Sequence, residues 1–154
     1  MAKDNGDNAN TLRVNVNKGS RLKRQLPYGP LLTHEAVEFV EQIGHAYSLG
    51  PTIRHKLPLI VEELVTNSVN YGKMAADGHV ELDVEVKDDA ACLRYCDTGI
   101  AFDPVSNAPD DDRQLAARER RVGGLGWPLI KDLSTDLEYQ RLDGQNQITL
   151  KLLL

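Results

Sequence analysis

The stretch VEELVTNSVNYG, residues 61–72, decides how the rest of the chain is interpreted. Its apolar residues recur at the spacing of an amphipathic helix and are predicted to face inward: Val61, Leu64, Val65 and Val69. A second stripe of that helix carries Glu63, Asn67 and Asn70 at positions i, i+4 and i+7. A carboxylate can take up a proton, and an amide oxygen can ligate a hard cation such as Mg²⁺. Taken alone, the polar stripe fits a solvated helix edge as well as it fits a site.

Composition and length indicate one globular domain. The chain has 154 residues, of which 41% are hydrophobic and 27% charged. We therefore predict a single domain over residues 1–154, with a polar tail over residues 1–10. No apolar run reaches the roughly 18 to 20 residues that a membrane span requires, and the first 20 residues contain no apolar export segment. These features predict a cytoplasmic protein without a membrane partner.

The charge balance argues against nucleic acid as a direct partner. The formal net charge is −5 at pH 7, whereas nucleic-acid binding normally depends on a clustered basic surface. Basic residues do cluster in two places, residues 18–24 and residues 113–121. Each cluster is interpreted first as a solvated face. The members are Lys18, Arg21, Lys23 and Arg24 in the first, and Arg113, Arg118, Arg120 and Arg121 in the second.

The first half of the chain predicts one short strand and two helices. The strand is TLRVNV, residues 11–16, and an irregular connection with two prolines follows it up to residue 30. The first helix is predicted from an N-cap at Thr33 to about Tyr47, and the second from Thr52 to Tyr71, with Gly72 ending it. Pro58 interrupts the second helix, which either bends there or begins near Leu57.

The second half predicts two hairpins separated by a long loop and a helix. From His79 apolar and polar residues alternate, and the segment ACLRYC pairs with this strand across a turn at Asp88-Asp89. A loop over residues 103–122 precedes a helix, and two strands joined at Asp143-Gly144 close the chain. The order predicts an α+β fold, a two-layer α/β sandwich with a mostly antiparallel mixed sheet and helices packed on one face.

A second motif, CDTGIAFDP, lies at residues 96–104, where the predicted strand ends. Gly99 lets the backbone turn sharply or approach a ligand closely. A buried carboxylate at Asp97 can accept a hydrogen bond from an exocyclic amine such as that of adenine. The alternative is an ordinary Asp-Thr-Gly turn.

A third motif, GGLGWPLI, occupies residues 123–130 and opens a helix. Glycines before a helix leave backbone N–H groups free at the positive end of the helix dipole, where they can bind phosphate. No Gly-Lys-Ser/Thr follows, so this is not a Walker A loop, and no strand runs directly into it as in a Rossmann fingerprint. The alternative is a flexible glycine turn.

Together the three motifs resemble the ATP-binding Bergerat fold of the GHKL superfamily, over roughly residues 11–154. That superfamily includes gyrases, heat-shock chaperones, mismatch-repair proteins and histidine kinases. Within it the chain is most similar to the bacterial anti-sigma-factor serine kinases. The segments that carry this likeness are EELVTNSVNYG, DTGIAFDP, GGLGWPLIKDL and YQRLDGQNQITLKL.

The resemblance implies a role for each matching position. Glu63 would be the general base, Asn67 would ligate Mg²⁺, and Asp97 would bind the adenine amine, with Gly99 giving the ring room. Three glycines would lie at the phosphates, and a threonine on the last strand would lie near the adenine. These residues are Gly123, Gly124, Gly126 and Thr149.

The resemblance also implies that residues 103–122 form a lid over ATP, from which Arg120 or Arg121 would reach the γ-phosphate or a partner's acidic surface. The sequence leaves open which of the two does so. It also puts Thr149 on the opposite face of its strand from Ile148 and Leu150.

The implied function is an ATP- and Mg²⁺-dependent serine/threonine protein kinase. It would phosphorylate a small anti-sigma-factor antagonist protein and sequester a sigma factor by partner switching, with homodimerisation as a further expectation. Two alternatives stay open at this point. One is a regulatory module that binds ATP and a partner without turnover, and the other is a GHKL-type regulator of a different signalling partner.

Overall fold

Five strands and four helices make up the part of the chain that the computed structural model describes, residues 19–107 and 126–154. The strands are Arg21–Pro27 (β1), His79–Val86 (β2), Ala90–Asp97 (β3), Thr135–Leu142 (β4) and Gln145–Leu153 (β5). The helices are Leu32–Ala46 (α1), Pro51–Tyr71 (α2), Pro104–Asn107 (α3) and Gly126–Leu133 (α4).

The strands form one sheet in the order β1-β2-β3-β5-β4, and each neighbouring pair is antiparallel. Alternate residues of β2 are buried against α1 and α2, as the period-two pattern predicts. The predicted α+β fold with helices on one face is confirmed, and the described part of the sheet is antiparallel throughout. The buried residues of β2 are Val80, Leu82, Val84 and Val86.

Helix α2 runs through Pro58 without a break and buries one stripe against the sheet. The stripe follows Leu57, Val61 and Leu64, and the next position along it is Ser68, which is 7% exposed. Val69 was predicted to face inward, but it is 37% exposed. It lies one residue past Ser68, and each residue turns the helix by about 100 degrees. A polar side chain therefore takes the inward position at this end of α2.

The N-terminal region differs from the prediction. The predicted strand over residues 11–16 lies outside the described residues, and β1 occupies the segment that was predicted to be irregular. Its inward residues are Leu22, Arg24 and Leu26, and the Arg24 guanidinium lies 4.8 Å from the centre of the Phe39 ring. Arginine can bury its aliphatic stem, so a basic residue at an inward position hid the alternation.

Helix α1 begins at Leu32, one residue before the predicted N-cap at Thr33. Leu31 takes the N-cap position and provides no side-chain hydrogen bond to the first turn. Burial of the first apolar residue, Leu32, therefore outweighs the capping preference that favoured Thr33.

The sheet face away from the helices is polar and ion-paired. Asp83 is 3% exposed, and its carboxylate accepts hydrogen bonds from Arg21 and Arg94 at 2.7–2.8 Å. Lys23 and Arg94 pair with Glu81 at 3.1 and 3.0 Å. Two members of the first basic cluster are thus already neutralised by carboxylates. None of the described helices is long and apolar enough to cross a membrane.

Candidate functional site

The carboxylate of Asp97 is the centre of a buried hydrogen-bond network at the end of β3. It accepts three hydrogen bonds, and its side chain is buried among strands and α2. The Ser68 hydroxyl donates to Oδ2 at 2.7 Å, while the Gly99 N–H and the Asn146 amide both donate to Oδ1 at 2.9 Å. Asp97 is therefore held in one orientation before any ligand binds.

Gly99 lies where the backbone after β3 passes the end of α2. A Cβ atom at this position would lie 2.6 Å from the Gly72 carbonyl oxygen and 3.0 Å from Asp97 Oδ1. The neighbouring Ile100 N–H donates to that same carbonyl at 2.8 Å. Only a glycine fits this close approach. The turn therefore ties the loop that follows Asp97 to the end of α2.

Asn146 completes this network and was not predicted from the sequence. It lies opposite Asp97 in the β3–β5 register, 49 residues away in the chain. Its amide nitrogen donates to Asp97 and to the Ile100 carbonyl, and its oxygen accepts from the Phe102 N–H and the Tyr139 hydroxyl. The alternation of β5 did carry a signal. Asn146 is the one polar residue of this described strand that falls at an alternating buried position, in step with Ile148.

Thr149, which the resemblance placed near the adenine, does not join this network. It pairs with Arg94 in the register and faces the polar side of the sheet, in a depression that Asp83 and Lys151 also line. Side chains of a strand alternate between its two faces, so a residue three positions from Asn146 points to the other face. The position on β5 that contacts Asp97 is Asn146.

A second group of predicted residues meets where α2 passes the start of α4. A Cβ atom at Gly126 would lie 2.6 Å from Glu63 Oε2 and 3.2 Å from the Asn67 amide nitrogen. The structure therefore brings the predicted base, the predicted metal ligand and one predicted phosphate-binding glycine to one point. Asn70 takes no part in it, because its side chain is exposed.

The electrostatics of this second group suit proton transfer and cation binding. Burial, and secondarily the negative charge of Glu62, raise the pKa of Glu63 above its ordinary value. The Asn67 amide nitrogen is buried without a hydrogen-bond partner in the described structure. The two ends of a primary amide are told apart only by their partners, so this unpartnered end can equally be an oxygen. Asn67 therefore fits a ligand for Mg²⁺.

The two groups share one helix and make up one elongated candidate site. Ser68 contacts Asp97, and Glu63 lies five residues earlier on α2, which is about 7.5 Å along the helix axis. We call the group around Asp97 the base end, comprising Asp97, Gly99, Asn146 and Ser68. The phosphate end comprises Glu63, Asn67 and Gly126. Gly123, Gly124 and the lid arginines, Arg120 and Arg121 included, lie outside the described residues.

Comparison with known sequences identifies a family and relatives. A family model for the histidine kinase-like ATPase domain matches residues 29–152. The serine/threonine-protein kinase BtrW of Bordetella bronchiseptica is 28% identical over 120 residues, which make up 75% of this chain and 82% of that protein. The serine-protein kinase RsbW of Listeria monocytogenes is 29% identical over 99 residues, 62% of this chain and 63% of the relative. The match to RsbW thus spans less than two thirds of that protein.

A solved structure has the same fold. A chain in the crystal structure of the SiaB–SiaC complex from Pseudomonas aeruginosa superimposes with a TM-score of 0.53 at 14% sequence identity. The match covers 86% of this chain and 89% of that chain. At this level of identity the likeness concerns the fold alone, and it confirms the predicted one.

Proposed function

We propose, since the chain belongs to the histidine kinase-like ATPase domain family, that it is an ATP-dependent serine/threonine protein kinase acting on a small anti-sigma-factor antagonist protein. One observation carries this proposal. A single helix, α2, presents Glu63 and Asn67 to the start of α4 and Ser68 to the buried Asp97. That arrangement supports a purine site at Asp97 and a phosphate site at Glu63 and Asn67, both reached by one helix.

The base end would bind adenine. Asp97 is an acceptor held by three donors, which suits the exocyclic amine of adenine. Gly99, which tolerates no side chain, leaves the space beside that carboxylate free of side-chain atoms. Hydrogen bonds to a charged group contribute about 1.5–3 kcal/mol, enough to make Asp97 the main determinant of nucleotide affinity.

The phosphate end would carry out the transfer. The substrate hydroxyl loses its proton to Glu63 as its oxygen bonds to the γ-phosphorus, and the bond from that phosphorus to the β–γ bridging oxygen breaks to release ADP. The raised pKa of Glu63 favours its acting as a base at neutral pH. Gly126 leaves room for the phosphates beside Glu63, and Gly123 and Gly124 would extend that surface.

Asn67 would hold Mg²⁺ through its amide oxygen. The buried amide end without a partner supports this assignment. A single neutral oxygen suits a cation that is otherwise held by water and nucleotide phosphates. Bound there, Mg²⁺ would supply charge neutralisation for the transferred phosphoryl group.

The protein partner is proposed from the relatives. Two of them are named as serine or serine/threonine protein kinases, and the structural neighbour comes from a two-protein complex. We propose that the phosphoryl acceptor is an antagonist protein, and that the chain holds or releases a sigma factor according to whether that antagonist is phosphorylated. We further propose that the chain acts as a homodimer in the cytoplasm.

The test is phosphoryl transfer from γ-labelled ATP and Mg²⁺ to candidate antagonist proteins from the same genome. The wild type should label a serine or threonine of one candidate, and Glu63→Gln should not, although it still binds ADP. Glu38→Gln is the control, since Glu38 is an exposed glutamate on α1. Equal labelling by the wild type and Glu63→Gln would refute the role of Glu63. Nucleotide binding without transfer to any candidate would instead indicate a binding module.

A further inference from the structure

Two buried hydroxyl groups lie in line behind Asp97. The Tyr95 hydroxyl donates to Ser68 Oγ at 2.7 Å, and Ser68 Oγ donates to Asp97 Oδ2 at 2.7 Å. Tyr95 is 1% exposed and lies within the hydrophobic core, and Ser68 takes an inward position of α2. Phenylalanine and alanine would fill these positions without any hydrogen-bonding requirement. We call this pair the hydroxyl relay.

The direction of the relay is fixed. Burial first, and the charge of Asp97 second, raise the pKa of Tyr95 far above its ordinary value. The hydroxyl therefore stays protonated and donates a hydrogen bond to Ser68. Ser68 has one proton, which is then directed to Asp97. The relay therefore delivers one donor to Asp97 Oδ2.

The remaining acceptor capacity of Asp97 can be counted. A carboxylate oxygen has two lone pairs, and those of Oδ1 are taken by Gly99 and Asn146. Oδ2 takes one hydrogen bond from Ser68, which leaves one lone pair. Asn146 has no capacity left, because both of its amide hydrogens and both lone pairs are used. Among the described contacts, the Asp97 carboxylate therefore keeps one open lone pair for a ligand on Oδ2, and the Asn146 amide has no donor left to offer.

We propose that the hydroxyl relay determines base selectivity: Ser68 and Tyr95 are positioning residues that make Asp97 accept a 6-amino purine and reject a 6-oxo purine. The inference rests on the proposed nucleotide site. A 6-amino group donates to the open lone pair, whereas a 6-oxo group places an oxygen against it. Without the relay, a water molecule can donate to Oδ2 in place of Ser68. That water can also donate to a 6-oxo group, so discrimination falls.

The test compares ADP with inosine diphosphate, which carries a 6-oxo group, by isothermal titration calorimetry with Mg²⁺. The wild type should prefer ADP by about 100-fold or more, because a buried acceptor is left unpaired by the wrong base. The double variant Ser68→Ala/Tyr95→Phe removes both hydroxyls together and leaves no buried orphan between them. Its preference should fall by about tenfold, because a bridging water then serves both bases.

The control removes the same two groups elsewhere. Tyr28→Phe/Ser134→Ala deletes a tyrosine hydroxyl outside the core and a serine hydroxyl that bonds to the Ile130 carbonyl, and it should keep the wild-type preference. Equal weakening of both nucleotides in the relay variant, with an unchanged preference, would mean a merely structural role and would overturn the inference.

Two other outcomes are separable. Failure of the wild type to bind either nucleotide would overturn the proposed function and the inference with it. If the double variant does not fold, Tyr95→Phe alone decides, because it weakens the Ser68 donor without leaving an orphan. Its preference should fall by about threefold, since each hydrogen bond of a chain polarises the next. A preference equal to that of the wild type would overturn the relay.

Discussion

The base end and the phosphate end of the site differ in how completely their polar groups are satisfied. At the base end Asp97 and Asn146 have partners on strands, on α2 and on the loop between them. At the phosphate end the Asn67 amide nitrogen has no partner in the described structure, and the pKa of Glu63 is raised by burial and by Glu62. Contacts within the protein thus satisfy the polar groups of the base end, whereas at the phosphate end a buried amide nitrogen has no partner among the described residues.

Because of this difference, we expect substitutions at the two ends to affect stability and turnover differently. A satisfied buried network contributes to folding, and breaking it leaves buried groups unpaired at a cost of about 1–3 kcal/mol each. A group that is unsatisfied in the free protein contributes little to folding and acts when substrate arrives. Variants of the base end should therefore lower both stability and affinity, and variants of the phosphate end should lower turnover alone.

The largest effect is expected from Glu63→Gln. Loss of the general base should reduce phosphoryl transfer by about 100-fold or more, with ADP affinity kept within about threefold. The free energy of unfolding should not fall, because burial disfavours the charged form of Glu63 and raises its pKa in the free protein. Transfer rates, calorimetric titration with ADP and urea unfolding measure the three quantities. A stability loss as large as that of a base-end variant would break the comparison.

Asp97→Asn comes next and should affect both quantities. The substitution keeps the side-chain volume but replaces one carboxylate oxygen with an NH₂ group. That NH₂ group then faces a hydrogen-bond donor, either the Ser68 hydroxyl or the Asn146 amide, in place of an acceptor. We expect ADP affinity to fall by about 100-fold and the free energy of unfolding by about 1–3 kcal/mol. Calorimetry and urea unfolding check this, and Asp89→Asn, at an exposed aspartate in the turn before β3, provides the control. Undiminished ADP binding would contradict the assignment of the base end.

Asn146 and Thr149 give a direct contrast on one strand. Asn146→Ala removes four hydrogen bonds and should lower the free energy of unfolding by about 2–3 kcal/mol and weaken ADP binding. Thr149→Ala, on the opposite face, should change stability by no more than about 0.5 kcal/mol and leave ADP binding unaltered. Thermal melts and calorimetry of both variants decide. A binding defect in Thr149→Ala alone would reverse the assignment.

Gly126→Ala tests how closely α4 approaches Glu63. The new Cβ would lie 2.6 Å from Glu63 Oε2, so the carboxylate must move. We expect transfer to fall by about tenfold with little change in stability, because misplacing a base lowers the rate of the chemical step. Gly29→Ala is the matched control, since a Cβ there has no atom within 4 Å. Wild-type turnover in Gly126→Ala would show that Glu63 tolerates displacement.

The smallest effect is expected from Glu62→Gln. Glu63 acts as a base when it is ionised, so transfer should fall as the pH drops through its pKa. The charge of Glu62 helps to raise that pKa, and its removal should move the acidic limb of the rate profile to lower pH. Glu41→Gln, an exposed glutamate on α1, should leave the limb in place. A limb that moves to higher pH would contradict the electrostatic account.

The sequence predicted elements whose signals are local. Helix α2, the β2–β3 hairpin and the β4–β5 hairpin all follow from periodicity and turn residues, and Asp143 and Gly144 have the positive φ angles that a tight hairpin turn requires. The convergence of Glu63, Asn67 and Gly126 followed from the three motifs taken together. Their contact is now visible at the start of α4.

What the sequence did not predict depends on contacts between distant residues. Asn146 and Asp97 are 49 residues apart, and Tyr95 and Ser68 are 27 apart, so no local pattern links them. Ser68 took an inward position that an apolar residue was expected to fill, because its partner is a buried carboxylate on another element. Strand β1 was missed because an inward arginine resembles an exposed one in the sequence.

The contrast between the two ends is tested most directly by amide hydrogen exchange with and without ADP and Mg²⁺. In the free protein the N–H groups of Gly99, Ile100 and Phe102 already have acceptors, so their exchange should be slow and change little on binding. Exchange at Gly126 and Trp127, at the start of α4, should slow markedly once phosphates are bound. Unchanged exchange at α4 with strong new protection at residues 99–102 would contradict the account.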